Sequence, residues 1–188
     1  MELDKLVEKY AEGDLKIDIG CGTRKRPGWT GCDFIGSPDV LMDLRTTWPF
    51  RDNTVGTIYS HHVLEHFQAS DLIHIFSEAW RVLEPDGCLI AVVPHGHSDL
   101  AVGDPQHLFR WLEWTPKRFC SQIYDKSQMG QGLDFKPWIV EEVVAEPHKD
   151  FASYSKEAFF FAKQHFTNAF NHLAFVMRKV DEGTHNSD

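Results

Sequence analysis

A chain of 188 residues with 42% hydrophobic and 25% charged side chains has the size and composition of one soluble globular domain with a real core. Its net charge of −9 argues against a nucleic-acid backbone as the main partner, because phosphate binding wants a basic surface. No apolar run is long enough to cross a bilayer and the N-terminus shows no signal-peptide pattern. Cys21, Cys32, Cys88 and Cys120 form no C-x-x-C pair, so reduced thiols in a cytoplasmic protein are expected.

Leu3, Leu6, Val7 and Tyr10 fall at helical spacing and predict a short amphipathic opening helix. An apolar strand over residues 15–19 then runs into Asp18-Ile19-Gly20-Cys21-Gly22, a turn with one acid and two glycines one position apart. Glycine lets a backbone pass close to a ligand, and open α/β sheets hold nucleotide-like cofactors where strands end in such turns. A dinucleotide fingerprint wants a third glycine, where Lys25 stands here, and no G-x-x-x-x-G-K-[ST] run is present. Pro27-Gly28 and the lack of periodicity leave no room for a full crossover helix before a second strand over residues 29–33, which ends at Asp33. A carboxylate at Asp18 would repel a pyrophosphate and attract an ammonium group.

A short third strand is expected over residues 40–42, a loop over 46–53 and a fourth strand over 55–60. Leu72, Ile75, Phe76, Ala79 and Leu83 share one face of a helix over 70–83. Pro85-Asp86-Gly87 reads as a turn, and a fifth strand follows over 88–93. Residues 95–114 read as a long loop. Thr115-Pro116 reads as the N-cap and first residue of a helix ending near Ile123. A polar loop over 126–132, a strand over 138–145, a helix over 156–166 and a last strand over 172–180 complete one domain over 1–180, with a polar, disordered tail over 181–188. Strands and helices alternate through the first half, which predicts a mostly parallel sheet.

Five ordered motifs carry a resemblance. Asp18-Ile19-Gly20-Cys21-Gly22, Cys32-Asp33, Met42-Asp43-Leu44, Ser60-His61-His62-Val63-Leu64-Glu65-His66 and Arg81-Val82-Leu83-Glu84-Pro85-Asp86-Gly87 resemble the small, Rossmann-like S-adenosylmethionine-dependent methyltransferases over residues 15–94. The resemblance implies an α/β Rossmann-like methyltransferase fold. That means a mostly parallel seven-stranded sheet with an antiparallel last strand, helices on both faces and, here, a shortened first crossover. It implies S-adenosylmethionine as cofactor, with S-adenosylhomocysteine as product. The implied cofactor set is Asp18 near the amino group, Gly20 and Gly22 at the close approach, Asp33 at the ribose hydroxyls, Asp43 and Leu44 at the adenine and His61 near the sulfonium, with Cys21, Phe34 and Ser60 as further contacts.

Gly103-Asp104-Pro105-Gln106-His107 lies where related methyltransferases carry an Asp-Pro-x-His wall to the acceptor site. His107 is the candidate general base, Asp104 its orienting partner, and His61 a further catalytic candidate. Phe109, Trp111 and Trp114 either shield the methyl group from water or are plain core. The expected enzyme moves a methyl group to a small-molecule or glycan-type acceptor, with O-methylation favoured. A non-catalytic binding protein of the same fold is the alternative. His62-Val63-Leu64-Glu65-His66 also matches H-x-x-E-H, a zinc-peptidase pattern that needs both imidazoles on one helical face. The 11 histidines keep a metal-assisted transferase open, but no fixed ligand spacing singles out a metal site and the reading requires none. Oligomeric state is left undetermined by the sequence.

Overall fold

The computed structural model describes residues 3–121, 135–151 and 153–180. The expected polar loop over 126–132, the helix end near Ile123 and the tail over 181–188 lie outside the described residues.

Seven strands form one sheet: β1 (Lys16–Ile19), β2 (Thr30–Asp33), β3 (Val40–Leu41), β4 (Val55–His61), β5 (Leu83–Pro94), β6 (Trp138–Pro147) and β7 (Phe170–Lys179). Their order is β3-β2-β1-β4-β5-β7-β6. The first five pair in parallel, and β7 runs antiparallel to both β5 and β6. The central strands read as near-continuous apolar runs because both their faces are covered, as parallel strands require. The chain leaves β1 toward β2 on one side and returns to β4 on the other. That reversal opens a crevice at the carboxyl ends of the strands, which is where open α/β sheets bind ligands.

Helix α1 (Leu3–Tyr10) lays Leu6 and Val7 on Tyr59, Ile90, Val92 and Val176 on one face of the sheet. Helix α2 (Ala69–Val82) covers the other face, burying Leu72, Ile75, Phe76, Ala79 and Val82 against Ile17, Ile58, Leu89 and Phe175. No helix stands between β1 and β2, so the shortened crossover is a stretch of turns in which Gly28 takes a φ of +77°.

Three local expectations change. The segment after Thr115 is a single 3-10 turn over Pro116–Phe119, and the Thr115 hydroxyl accepts from the Leu112 amide instead of capping a helix. The Pro85-Asp86-Gly87 turn lies inside β5, because Leu83 already pairs with Val55 and Asp86 absorbs the irregularity at a φ of +62°. The long loop after β5 contains a short helix, α3 (Asp99–Val102), whose first turn is capped by the Ser98 hydroxyl accepting from Ala101. Helix α4 (Lys156–His165) begins in the same way, with Ser155 accepting from Ala158.

Candidate functional site

The glycine turn leaves β1 under tight constraints. Gly20 has a φ of +70°, and a Cβ there would stand 2.3 Å from Val63 Cγ2, so only glycine fits. Gly22 has a φ of +55° but faces open space, and its amide donates to Asp33 Oδ2 at 2.8 Å. Beneath the turn Asp18 is 6% exposed. Burial pushes its carboxyl up to about 6, against the opposing pull of the Arg26 guanidinium and backbone amide. A cavity of about 700 Å³ opens here, lined by Asp18, Gly20, Cys21, Gly22, Arg26 and His61 among others. The Arg26 guanidinium lies 4.5 Å from the centre of the Tyr59 ring, another wall of that cavity.

A second cavity of about 620 Å³ shares Gly20 and runs along the ends of β2 and β3, past Asp33, Phe34, Met42, Asp43 and Leu44. Phe34 and Ile35 expose their side chains to it, an apolar platform beside two carboxylates. Asp33 Oδ1 accepts from the Phe34 and Ile35 amides at 2.7 and 3.2 Å. With Oδ2 taken by Gly22, three of its roughly four lone-pair positions are occupied, which leaves room for one hydroxyl. Asp43 is gripped by Arg45 through the side chain and then the backbone amide, which holds its carboxyl below the usual range. Leu44 is buried, and its carbonyl accepts from Trp48 Nε1.

On the far side of β4 a third cavity of about 620 Å³ is lined by His62, Glu65, His66, Asp104 and His107, and it shares His62 and His66 with the second. His62 adopts a φ of +57°, and a 3-10 turn over Leu64–His66 follows. The amides of Leu108 and Phe109 both donate to the Glu65 carbonyl, which fixes the Asp-Pro-Gln-His segment against that turn. At the mouth His61 stacks on His62 with ring centres 4.6 Å apart, and His172 meets His62 at a tilt with ring centres 5.0 Å apart. Desolvation, then the neighbouring His172 and Arg26, lower the His61 imidazole, while burial and the adjacent imidazoles push His62 down to about 4. Burial pushes Glu65 up to about 7.

The expected residues do not all meet. Ser60 is fully buried on β4, with its hydroxyl unpartnered, and lines none of these cavities. Asp104 Oδ2 stands 3.8 Å from His107 Nε2, beyond hydrogen-bond reach. Trp111 is core, stacked on Phe119 and Phe175, and Phe109 packs against the same cluster. Trp114 is exposed beneath Arg118 and lines no described cavity. Of the two readings of these aromatics, plain core holds for Phe109 and Trp111, none of the three lines a described cavity, and Leu108 of the same segment lines the second cavity. The H-x-x-E-H run does not lie on a helix, so His62 and His66 share no helical face as the peptidase pattern needs.

Arg26 and Tyr59 were not among the expected site residues, and Glu65 entered only through the H-x-x-E-H pattern. Arg26 was visible as part of the Arg24-Lys25-Arg26 cluster beside the turn. Nothing in the sequence announced that Glu65 is buried.

The residues fit S-adenosylmethionine. The carboxylate of Asp18 and the guanidinium of Arg26 flank the cavity that would take its amino-acid end, Gly20 permits close approach, and Asp33 beside Phe34, Ile35 and Leu44 suits a ribose and an adenine ring. A model of the methyltransferase domain matches residues 25–91. No curated protein matches the chain by sequence. A SAM-dependent methyltransferase from Archaeoglobus fulgidus superposes with a TM-score of 0.63 at 15% identity, covering 94% of this chain and 91% of its own. The phosphoethanolamine N-methyltransferase 2 of Haemonchus contortus, in complex with S-adenosyl-L-methionine, gives 0.57 at 15% identity, over 96% of this chain and 52% of its own. The [4+2]-cyclase SpnF gives 0.57 at 13% identity, over 95% and 80%. A shared fold thus accompanies more than one chemistry. The domain match covers about a third of the chain, and the strand order is that of the S-adenosylmethionine-dependent methyltransferase fold with which the chain superposes.

Proposed function

We propose that the protein methylates a hydroxyl group of a small-molecule or glycan-type acceptor held in the third cavity. The observation that carries this reading is the continuity of the cleft: Gly20 is common to the first two cavities, and His62 and His66 to the second and third. Asp18 and Arg26 hold the charged amino-acid end, Asp33 keeps one lone pair for a ribose hydroxyl, and Phe34 and Leu44 enclose the base. When bound, S-adenosylmethionine supplies a methyl group already activated on a sulfonium. The remaining task of the chain is alignment, which is worth on the order of 7–11 kcal/mol, and removal of one proton.

His61 is suited to that removal. It lies on the wall of the first cavity, stacked on His62 of the acceptor side, and its lowered imidazole is neutral near pH 7 with a ring nitrogen free to take the proton. His107 and Asp104 line the acceptor cavity and hold polar groups of the acceptor. The acidic surface favours a neutral or cationic acceptor over a nucleic acid.

The test incubates the purified chain with S-adenosylmethionine and a panel of hydroxylated small molecules and oligosaccharides, read by mass spectrometry. One added methylene on an oxygen supports the reading, and His61→Ala should then lower kcat by about 10²-fold or more. Transfer confined to amines or carboxylates contradicts it.

A further inference from the structure

The acceptor-side cavity holds a buried carboxylate, Glu65, to which methyl transfer as described above gives no role. Glu65 is 1% exposed, and neither of its carboxylate oxygens has a hydrogen-bond partner. A buried carboxylate without a donor is costly, and such groups are normally paired or bind a cation. One ligand atom each from Glu65, His66 and His107 lie within 4.8 Å of one another, which among the described residues makes this the one such group.

The protons are arranged for ligation. His66 Nδ1 lies 3.2 Å from the Gln106 carbonyl, which can only accept, so Nδ1 carries the hydrogen and Nε2 presents a lone pair. His107 turns Nε2 toward Asp104 and leaves a buried Nδ1 without a partner. A ring N–H directed at a carbonyl or carboxylate, with the other nitrogen left bare, is how metal-binding histidines are oriented. The two halves of the group come from segments tied together by the Leu108 and Phe109 amides on the Glu65 carbonyl. His62 Nδ1 stands 3.5 Å from Glu65 Oε1 and adds a fourth donor at the edge.

We infer that Glu65, His66 and His107 bind a divalent first-row transition-metal ion of the zinc type through two imidazole nitrogens and one carboxylate oxygen. Two imidazoles select against magnesium and calcium, which want all-oxygen shells. Bonds of about 2.1 Å to a tetrahedral ion place ligand atoms about 3.4 Å apart, so the group closes by a small inward rotation of side chains. The remaining coordination positions face the acceptor cavity, bordered by His62, Asp99 and Leu100. An acceptor hydroxyl or carboxylate oxygen is the ligand that this opening takes, a step that rests on the methyl-transfer reading.

The experiment treats the full chain with chelator, removes the chelator, and titrates Zn²⁺ by calorimetry and Co²⁺ by visible absorption. One Zn²⁺ per chain and the intense d–d bands of a low-coordinate Co²⁺ site are expected. Glu65→Gln, which preserves volume, and His107→Ala should each weaken Zn²⁺ by at least about tenfold. His165→Ala, an exposed residue of α4, should leave it unchanged. Zn²⁺ should also raise the Tm of the parent and leave that of Glu65→Gln unmoved. Absence of Zn²⁺ binding, or binding indifferent to both substitutions, overturns the site. S-adenosylmethionine is titrated into the same samples. Intact cofactor binding without zinc removes the metal site alone, whereas zinc binding without cofactor binding sustains the site and removes the methyl-transfer reading.

Discussion

Asp18 sets a cost against a use. Its carboxyl sits near 6 because the turn buries it, so in the free protein its ionisation opposes folding. The native state holds a proton that the unfolded chain has lost between about pH 4 and 6, so this group lowers stability as pH rises through that window. An ammonium group beside the ionised form reverses the balance. Between pH 7 and pH 5 the ionised fraction drops from about nine-tenths to about one-tenth, and S-adenosylmethionine affinity should fall about tenfold, as calorimetry at both values would show. Asp18→Asn should raise Tm at pH 7.5 while weakening the cofactor; a variant that binds equally well would remove the residue from the site. Gly20 and Gly22 separate in the same way. Gly20→Ala adds a clash with Val63 to the positive-φ strain and should cost at least about 2 kcal/mol in urea denaturation. Gly22→Ala meets only open space, should cost about 1 kcal/mol, and should act mainly on cofactor affinity. These backbone-driven positions were legible in the sequence because the chemistry forces the residue type. Trp111 was not, since an aromatic in a segment without periodicity carries no sign of which way it points.

Among the elements, α2 does more than cover the sheet. Arg81 near its end donates to the carbonyls of Trp48 and Phe50, to Asp52 and to Glu78, and Glu78 in turn accepts from the Trp48 amide at 2.7 Å. This latch holds residues 44–50 and, through Trp48 Nε1, the carbonyl of Leu44, which lines the second cavity. Burial alone would raise the Glu78 carboxyl, but Arg81 and then the Trp48 amide outweigh it and hold it below its usual range. That contribution is present near neutrality and is lost as pH falls below the usual carboxylate range. Arg81→Met strands a mostly buried carboxylate and should cost about 2–3 kcal/mol, read as a lower urea midpoint with an unchanged m-value. The helix itself was legible to within one residue at each end, because Leu72, Ile75, Phe76 and Ala79 keep a helical period against a flat sheet. The 3-10 turn at Pro116 was not: Thr-Pro is a helix start only if the following residues can bury a stripe, and here Phe119 turns into the core after one turn.

At the scale of the molecule, the reversal between β1 and β4 creates the cleft, and the turns that replace the first crossover helix line its first cavity with Arg26. The strand alternation and the five ordered motifs made this much legible, since four of the motifs lie at strand ends and the fifth joins α2 to β5. The third cavity depends on a contact between the turn at Glu65 and the segment after Asp104, two stretches about forty residues apart, and no local pattern reports such a pairing. Among the described residues no helix is long and apolar enough to cross a membrane. The most direct measurement is a calorimetric titration of S-adenosylmethionine into the full chain at pH 7.5, alongside Asp33→Ala. One site per chain is expected, weakened at least about tenfold, or about 1.4 kcal/mol, in the variant. A folded protein that takes up no S-adenosylmethionine at millimolar concentration would contradict it.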